Sequence, residues 1–417
     1  MNPYCYGRED HAAAHTDDYI FSQLIPYIGN KRKLLGLIQQ ALHHAGVGPE
    51  AAFLDVFAGS GVVSRMAKKM GFRVVANDWE PYSFEINQCC IQCNEAPEFR
   101  DLGGYAHALH RLNTLAPRED WITGHLCPSN DGHYDILTDR LFYTRSNGMM
   151  MDAMRTEVAR WEEAGLISPL ERACLLAPML YQACYTSNTS GVFKGFHNGW
   201  GGQTGTALYR ILSDFHLKPS VFHDNRQDNR VFQVDSANLA STLEEAQVQA
   251  DVAYLDPPYN QHPYGSNYHV LNTIALWDKP LLSEKIEGRN KAAIREDWRT
   301  QRRSAYNSRR EATTAYVNLM HSLKARYLLT SYSTDGMVPL KELVETCVGR
   351  GQTELVLQGY KRYRVSSQRF SSKPVTIEFI LIVDTSKRHQ GSSAQQIGDK
   401  IVQAEQTALI QHPETDR

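Results

Sequence analysis

The 417-residue chain is predicted to fold as an α/β protein whose mainly parallel sheet is interrupted by a long helical segment. Three observations predict this. Short apolar runs rich in Val, Ile, Leu, Phe and Tyr stand at 53–59, 72–78, 231–237, 252–258, 325–333, 353–365 and 375–384. The first two are separated by VVSRMAKKMG, a helix-like stretch ending at Gly71. Strand, helix, strand at that spacing makes parallel neighbours. Between residues 95 and 230 the strand signal lapses, and TEVARWEEAGL and ERACLLAPMLYQAC read as helices.

The last two runs are joined by the polar SSQRFSSKP, which predicts an antiparallel hairpin at a sheet edge. After Asp384 the chain turns polar, and a tail that starts mobile and ends in a short helix is expected. The expected division is a sheet-forming part over 1–95, a helical insert over 96–230, the rest of the sheet over 231–385 and a polar tail over 386–417.

Composition bounds the function only loosely. A formal net charge of -2 with 42% hydrophobic residues is ordinary globular material for two or three domains. The near-neutral total says nothing about partners, so the local distribution of charge matters more. The N-terminal MNPYCYGREDHAAAHTDDYI lacks a basic-then-apolar signal pattern, and no run approaches a membrane span. Eight cysteines in a chain this long are too dilute for a disulfide scaffold, which points to a reducing cytoplasm. Cys90 and Cys93 have a C-x2-C spacing, with His107 and His110 downstream. That histidine pair is closer than the usual finger spacing, and FEINQCCIQCNE reads as a helix in which cysteine is a small apolar residue. No metal site is expected.

FLDVFAGSGVVS places Gly59 and Gly61 between a buried strand and a helix, where glycine lets the backbone turn tightly and approach a ligand. Asp78 ends the next strand, where a carboxylate can accept from both hydroxyls of a ribose. This is the geometry of a nucleoside-bearing cofactor. Ser64 at the last position of a G-x-G-x-x-G argues against a dinucleotide. Asp55, inside the strand run, is read as bracing the loop or approaching the far end of the cofactor. For Asp235, in VFQVDSA, two readings stand side by side: a helix N-cap, or an acceptor for an adenine amino group.

AYLDPPYNQHPY then ends a strand on Asp256. Open α/β sheets bind ligands at the C-terminal ends of their strands. Pro257 and Pro258 supply no N–H, so Asp256 and the Pro257 carbonyl form an acceptor-only pair on a stiff turn. Such a pair suits an amine with two hydrogens to donate, and Tyr259 offers a flat face for a planar ring. The exocyclic amine of a nucleobase is a poor nucleophile because its lone pair is delocalised. Two acceptors on its hydrogens favour a pyramidal nitrogen and the positive charge that develops during attack. A strand-terminating turn alone would explain the prolines, but not the glycine loop and ribose-type acid before them.

With these motifs in this order, the chain resembles the Dam-like class of S-adenosylmethionine-dependent N6-adenine DNA methyltransferases. LIPYIGNKRKLL (24–35) is similar to the opening cofactor motif of that class, with Tyr27 and Lys31 at its aromatic and lysine positions. DVFAGSG, with Asp55, Phe57, Gly59 and Gly61, matches the methionine-loop motif, and Asp78 matches the ribose acid. VDSANL, with Asp235 and Ser236, matches the motif that contacts the cofactor's adenine. The resemblance implies a Rossmann-like, seven-stranded methyltransferase core with a mostly helical inserted target-recognition domain. It implies S-adenosylmethionine as cofactor and double-stranded DNA as substrate. Asp256, Pro257, Pro258 and Tyr259 would be the catalytic residues, with Asp256 also facing the cofactor. It also implies a cytoplasmic, DNA-associated protein of a prokaryote or phage, and leaves open a homodimer and a cognate restriction endonuclease. Cytosine N4 and RNA adenine are alternative substrates, although N4 enzymes more often carry serine at the Asp256 position. A decayed, non-catalytic DNA-binding protein would have lost the glycines, the ribose acid or the DPPY, and all are present.

DNA contacts are expected in three places. Ser187–Gln203 (SNTSGVFKGFHNGWGGQ) sits where the class has a recognition loop, with Asn188, Lys194, His197 and Asn198 as candidates for phosphates or base edges. Here Lys194 follows Phe193, so the base contacts of the class do not carry over. From Arg289 to Arg310 there are eight Lys/Arg against two Asp/Glu, and Arg302, Arg303, Arg309 and Arg310 are read as phosphate contacts. Lys361 and Arg364, in the edge hairpin, form a third basic stretch. Asn260, Gln261, His262 and Tyr264 are candidates to shape a base pocket.

Overall fold

The computed structural model describes residues 18–261, 263–283, 286–295, 297–361 and 375–411, without the side chains of 289, 299, 300, 358–361, 375, 376 and 411. Its sheet has seven strands: β1 (Ala52–Asp55), β2 (Arg73–Asn77), β3 (Arg230–Phe232), β4 (Val252–Leu255), β5 (Tyr327–Ser333), β6 (Gln352–Lys361) and β7 (Val375–Asp384). Their order is β3-β2-β1-β4-β5-β7-β6. β1 pairs parallel with β2 and β4, β2 with β3, and β4 with β5. β7 alone runs against its neighbours β5 and β6, which is the expected edge hairpin.

Strand order reverses between β1 and β4. On one side the chain steps outward to β2 and β3, and on the other to β5. The connecting segments leave in opposite directions there and open a crevice at the strands' C-terminal ends. Strands β1 to β5 are each shorter than their apolar runs in the sequence. β1 ends at Asp55, β2 just before Asp78, β3 before Asp235 and β4 just before Asp256. The acids therefore stand at or just past the last ladder residue.

Alternation along the strands fills two cores. Phe53, Val74, Ala76 and Tyr254 face one apolar cluster; Leu54, Val75, Ala253 and Leu255 face the other. The first cluster continues without a break into the helices of the 96–230 segment, through Trp161, Leu175, Leu176 and Met179. The helix Arg145–Glu163 starts on Thr144, whose hydroxyl accepts from the Asn147 N–H. The helix Pro169–Tyr185 starts with a capping box between Ser168 and Glu171. It packs against Pro81–Asn87, the helix that follows β2.

The tail is more ordered than its composition suggests. Ala394–Gln411 is one helix, with Ile397 and Ile401 fully or nearly fully buried against the second cluster. The signal was an i, i+4 apolar pair in an otherwise polar run, continued by Ala404 and Ala408. Among the described residues no helix is long and apolar enough to cross a membrane.

Candidate active site

The glycine turn after β1 is built by steric exclusion. Gly59 and Gly61 have φ of +53° and +78°. A Cβ on Gly59 would lie 2.7 Å from the Tyr27 ring, and one on Gly61 would lie 2.5 Å from Asn87 Oδ1. The Gly59 N–H donates to Asp78 Oδ2 at 2.7 Å, and the Glu80 N–H donates to Asp78 Oδ1 at 2.9 Å. Asp78 thus ties the loop to the end of β2. Each of its oxygens keeps lone-pair capacity for a further donor.

These elements wall a pocket of about 810 Å³, its mouth included. Of the residues read as cofactor contacts, Tyr27, Phe57, Asp78, Asp235, Ser236 and Asp256 line it. The other four stand behind it. Gly59 and Gly61 shape the turn. Asp55 is buried beneath it, and the Ser64 hydroxyl donates to its Oδ2 at 2.7 Å. Burial pushes the Asp55 carboxyl up to about 7. Asp55 thus braces the loop, the first of its two readings, and does not line the pocket. Asp235 is the helix N-cap, its Oδ1 accepting from the Ala237 N–H at 2.9 Å, and it also lines the pocket.

Lys31 does not line the pocket. Its side chain is 3% exposed, and its Nζ lies 2.9 Å from Asp256 Oδ1, 3.2 Å from the Tyr259 hydroxyl and 4.0 Å from Glu378 Oε2 on β7. The approach to Asp256 is an ion pair set off the best hydrogen-bond angle. Burial alone would lower the Lys31 pKa, but Asp256, Tyr259 and Glu378 outweigh it and hold the ammonium charged. Burial raises the Asp256 carboxyl, and Lys31 opposes that shift. Tyr259 keeps its ring edge-on to Tyr332, with centroids 5.6 Å apart. The DPPY turn is thus held from three distant segments.

An aromatic wall completes the pocket. Tyr27 stacks on Tyr264 (5.1 Å) and Tyr268 (5.2 Å). The Tyr264 hydroxyl donates to the Ile28 carbonyl, and the Ile28 N–H donates to the Tyr268 hydroxyl. Tyr264 lines the pocket. His262 lies outside the described residues.

Sequence reading missed Trp79, Glu80, Asn272 and Glu378. Glu80 is buried, accepts from Asn272 Nδ2 at 2.6 Å, and is pushed by burial up to about 7. The available signal was DWE, a second carboxylate two residues after the ribose-type acid.

The expected DNA contacts divide. Asn188 is fully buried; its amide donates to the Leu141 and His197 carbonyls and accepts from the Gly201 N–H. It organises the loop and cannot reach DNA. Phe193 is buried too; its N–H donates to the Asn267 carbonyl, and its carbonyl bonds His269 Nε2. The loop is thereby fastened to the segment that follows the DPPY turn. Burial lowers the pKa of His197, so it is no strong phosphate cation. Lys194 and Asn198 are exposed, and Asn198 Oδ1 accepts from Lys291 Nζ at 3.2 Å. Arg303, Arg309 and Arg310 face solvent, Arg303 within 3.5 Å of Glu311. Arg302 does not: it lines the pocket. The Lys361 side chain and Arg364 lie outside the described residues. Cys89, Cys90, Cys93 and Cys174 pack in the first apolar cluster, and among the described residues no set of three or more His, Cys, Asp or Glu could hold a metal.

Chemically, the pocket presents Asp78, Glu80, Asp235 and Asp256 among aromatic faces, with Arg302 as its cationic lining residue. That donor set fits a ligand with ribose hydroxyls, an aromatic base and positive charge. The family model for the D12 class N6 adenine-specific DNA methyltransferase matches residues 27–327. The chain is 29% identical to the type II methyltransferase M.NlaIII of Neisseria lactamica, over 86% of this chain and 98% of that protein. It is 26% identical to the type II methyltransferase M.CviAII of Paramecium bursaria Chlorella virus 1, over 82% of this chain and 93% of that one. It is 29% identical to the type II methyltransferase M.FokI of Planomicrobium okeanokoites, where 83% of this chain matches only 50% of the longer relative. With its strand order, its acidic strand-end pocket and a match over most of its length, the chain belongs to the D12 class N6 adenine-specific DNA methyltransferase family.

Proposed function

We propose that the methyl donor is S-adenosylmethionine and that Asp256, the Pro257 carbonyl and Tyr259 hold the target adenine. The donor, when bound, supplies an electrophilic methyl group on a sulfonium. The acidic, aromatic pocket supports this choice, since it offers carboxylates to a cation and hydroxyl-bearing nucleoside. Asp256 and the Pro257 carbonyl accept from the two amine hydrogens and aim the lone pair into the pocket. Tyr259 gives the flipped base a face on which to stack. Lys31 keeps Asp256 ionised before transfer. The raised proton affinity of Asp256 then suits it to take the proton that the methylated amine sheds.

The observation that carries this reading is the position of Asp256, one residue past β4 on the pocket wall and 2.9 Å from a buried lysine. The type II names of the relatives support a restriction-modification role with a cognate endonuclease. The test is Asp256→Ala, assayed by digesting methylated duplex DNA and identifying the modified nucleoside. The expected result is N6-methyladenine from the wild type and a loss of at least ~10³-fold in the variant, with donor binding retained. Wild-type rates in the variant would sink the assignment of Asp256.

A further inference from the structure

The basic segment after the DPPY turn serves two masters, and Arg302 is where they part. By sequence it is one of eight cations in a stretch suited to phosphates. In the fold its guanidinium lies between two indoles, 5.1 Å from the Trp79 ring and 4.8 Å from the Trp298 ring. Its Nη2 donates to the Trp79 carbonyl at 2.5 Å. Trp79 sits between Asp78 and Glu80 at the end of β2, and all three line the pocket together with Arg302.

The stretch that carries Arg302 is an outer wall of the pocket, fastened at separate points. Trp298 is 6% exposed and packs so close to Gly265 that a Cβ there would lie 3.1 Å from its ring. The Tyr306 ring meets Phe57 edge-on at 5.3 Å. Asn307 Nδ2 donates to the Asn260 carbonyl at 2.7 Å, which joins the wall to the catalytic loop. Ser304 and Asn307 also face the pocket. Arg303, Arg309 and Arg310 point away into solvent.

We propose that Arg302 is a positioning residue of the methyl-donor pocket: it fixes the Asp78–Trp79–Glu80 turn and closes the site behind the donor's nucleoside, and it does not hold DNA phosphate. The inference rests on the assignment of S-adenosylmethionine to this pocket. A planar cation is required for the role. Arginine can stack on two ring faces while bonding a carbonyl in its own plane, and lysine cannot. The charge also offsets two carboxylates that burial would otherwise leave unbalanced, since Arg302 opposes the upward shifts of both Asp78 and Glu80.

The test measures two affinities separately in the full-length protein. Calorimetry gives Kd for S-adenosylmethionine and its demethylated product; fluorescence anisotropy with a labelled duplex gives DNA affinity and its salt slope. For Arg302→Ala the expected result is a rise of about tenfold or more in donor Kd. KM for the donor rises with it, kcat changes far less, and DNA Kd stays within about twofold. Arg302→Lys recovers only part of the donor affinity, and Arg303→Ala leaves the donor Kd at the wild-type value. Tryptophan emission provides a second readout: donor binding changes it in the wild type, and the change shrinks in Trp298→Phe. An unchanged donor Kd with a weakened, flatter-sloped DNA interaction in Arg302→Ala would overturn the inference and restore the phosphate contact. Parallel loss of both affinities with a lowered Tm, in this variant and in Arg302→Gln, would overturn it in favour of a merely structural role. A wild type that binds no donor at all would overturn the donor assignment itself, and this inference with it.

Discussion

The DPPY turn and the Ser187–Gln203 loop are both irregular segments beside the same pocket region, and they are held in opposite ways. The turn is fixed by charged and aromatic side chains from far along the chain: Lys31, Glu378 and Tyr332 converge on Asp256 and Tyr259. The loop is fixed largely by groups that do not titrate: a buried amide, and the Arg210 guanidinium, which donates to the Ser187 and Thr189 carbonyls. Asn188 satisfies the Gly201 N–H and the Leu141 and His197 carbonyls, and Phe193 pins the loop to Asn267. A turn held by ion pairs is tuned electrically, so its chemistry depends on protonation. A loop held by groups that do not titrate is tuned by shape, so damage to it should fall on recognition and stability.

The largest effect that tests this contrast is expected at Lys31. Lys31→Met removes the cation that pairs with Asp256 and leaves two buried carboxylates, Asp256 and Glu378, without it. The kcat should fall by about 10²-fold, a loss of roughly 3 kcal/mol of transition-state stabilisation. The proton balance gives a second sign. Burial raises the Asp256 pKa and Lys31 opposes it, so removing Lys31 raises it further. The acid limb of the pH–rate profile, where ionised Asp256 is lost as pH falls, should therefore move to higher pH. An unmoved limb would mean that Lys31 does not govern the charge on Asp256.

The loop should fail differently. Asn188→Ala strands a buried N–H and two carbonyls, each costing about 1–3 kcal/mol if no water replaces the amide. DNA affinity is expected to drop about tenfold, with donor Kd unchanged and transfer at saturating DNA largely retained. If the donor Kd rises equally, the loop is coupled to the pocket through Asn267, and the contrast between the two regions is too sharp.

The two regions also differ in how far they could be read in advance. The seven strands, the edge hairpin and the acids at the strand ends were visible because short apolar runs and Gly, Pro and Asp punctuation carry local physical meaning. Side-chain direction in the loops was not. Asn188 and Asn198 are ten residues apart in the same polar loop, yet one is fully buried and the other exposed. Arg302 and Arg303 are adjacent, yet one lines the pocket and the other faces solvent. Neither composition nor spacing separates such pairs, because long-range packing decides which neighbour turns inward. Glu378 was invisible for a related reason: inside a strand run, a single carboxylate reads as a solvent-facing alternate position until the lysine it faces is known.

The smallest expected effect concerns stability, and it separates the regions most cleanly. Glu80 is buried in the lining of the acidic pocket, with a pKa pushed by burial to about 7, while Arg302 and Asn272 pull it back only in part. The folded state therefore holds this proton more tightly than the unfolded chain does. Between the ordinary carboxylate range and about 7, the native protein binds more protons, so stability falls as pH rises through that window. Above it the penalty is fully present. Glu80→Gln keeps an acceptor for Asn272 and removes the ionisation, so the variant should melt higher than the wild type near pH 8, by roughly 1 °C for each kcal/mol relieved. The two should converge near pH 5, where Glu80 is protonated in the folded wild type. Asn188→Ala should instead melt lower at both pH values, because no ionisation is involved. Melting curves for the three proteins at the two pH values check this. A pH-independent gain for Glu80→Gln would point to packing, and would remove the claim that the pocket is held at an electrostatic cost while the loop is not.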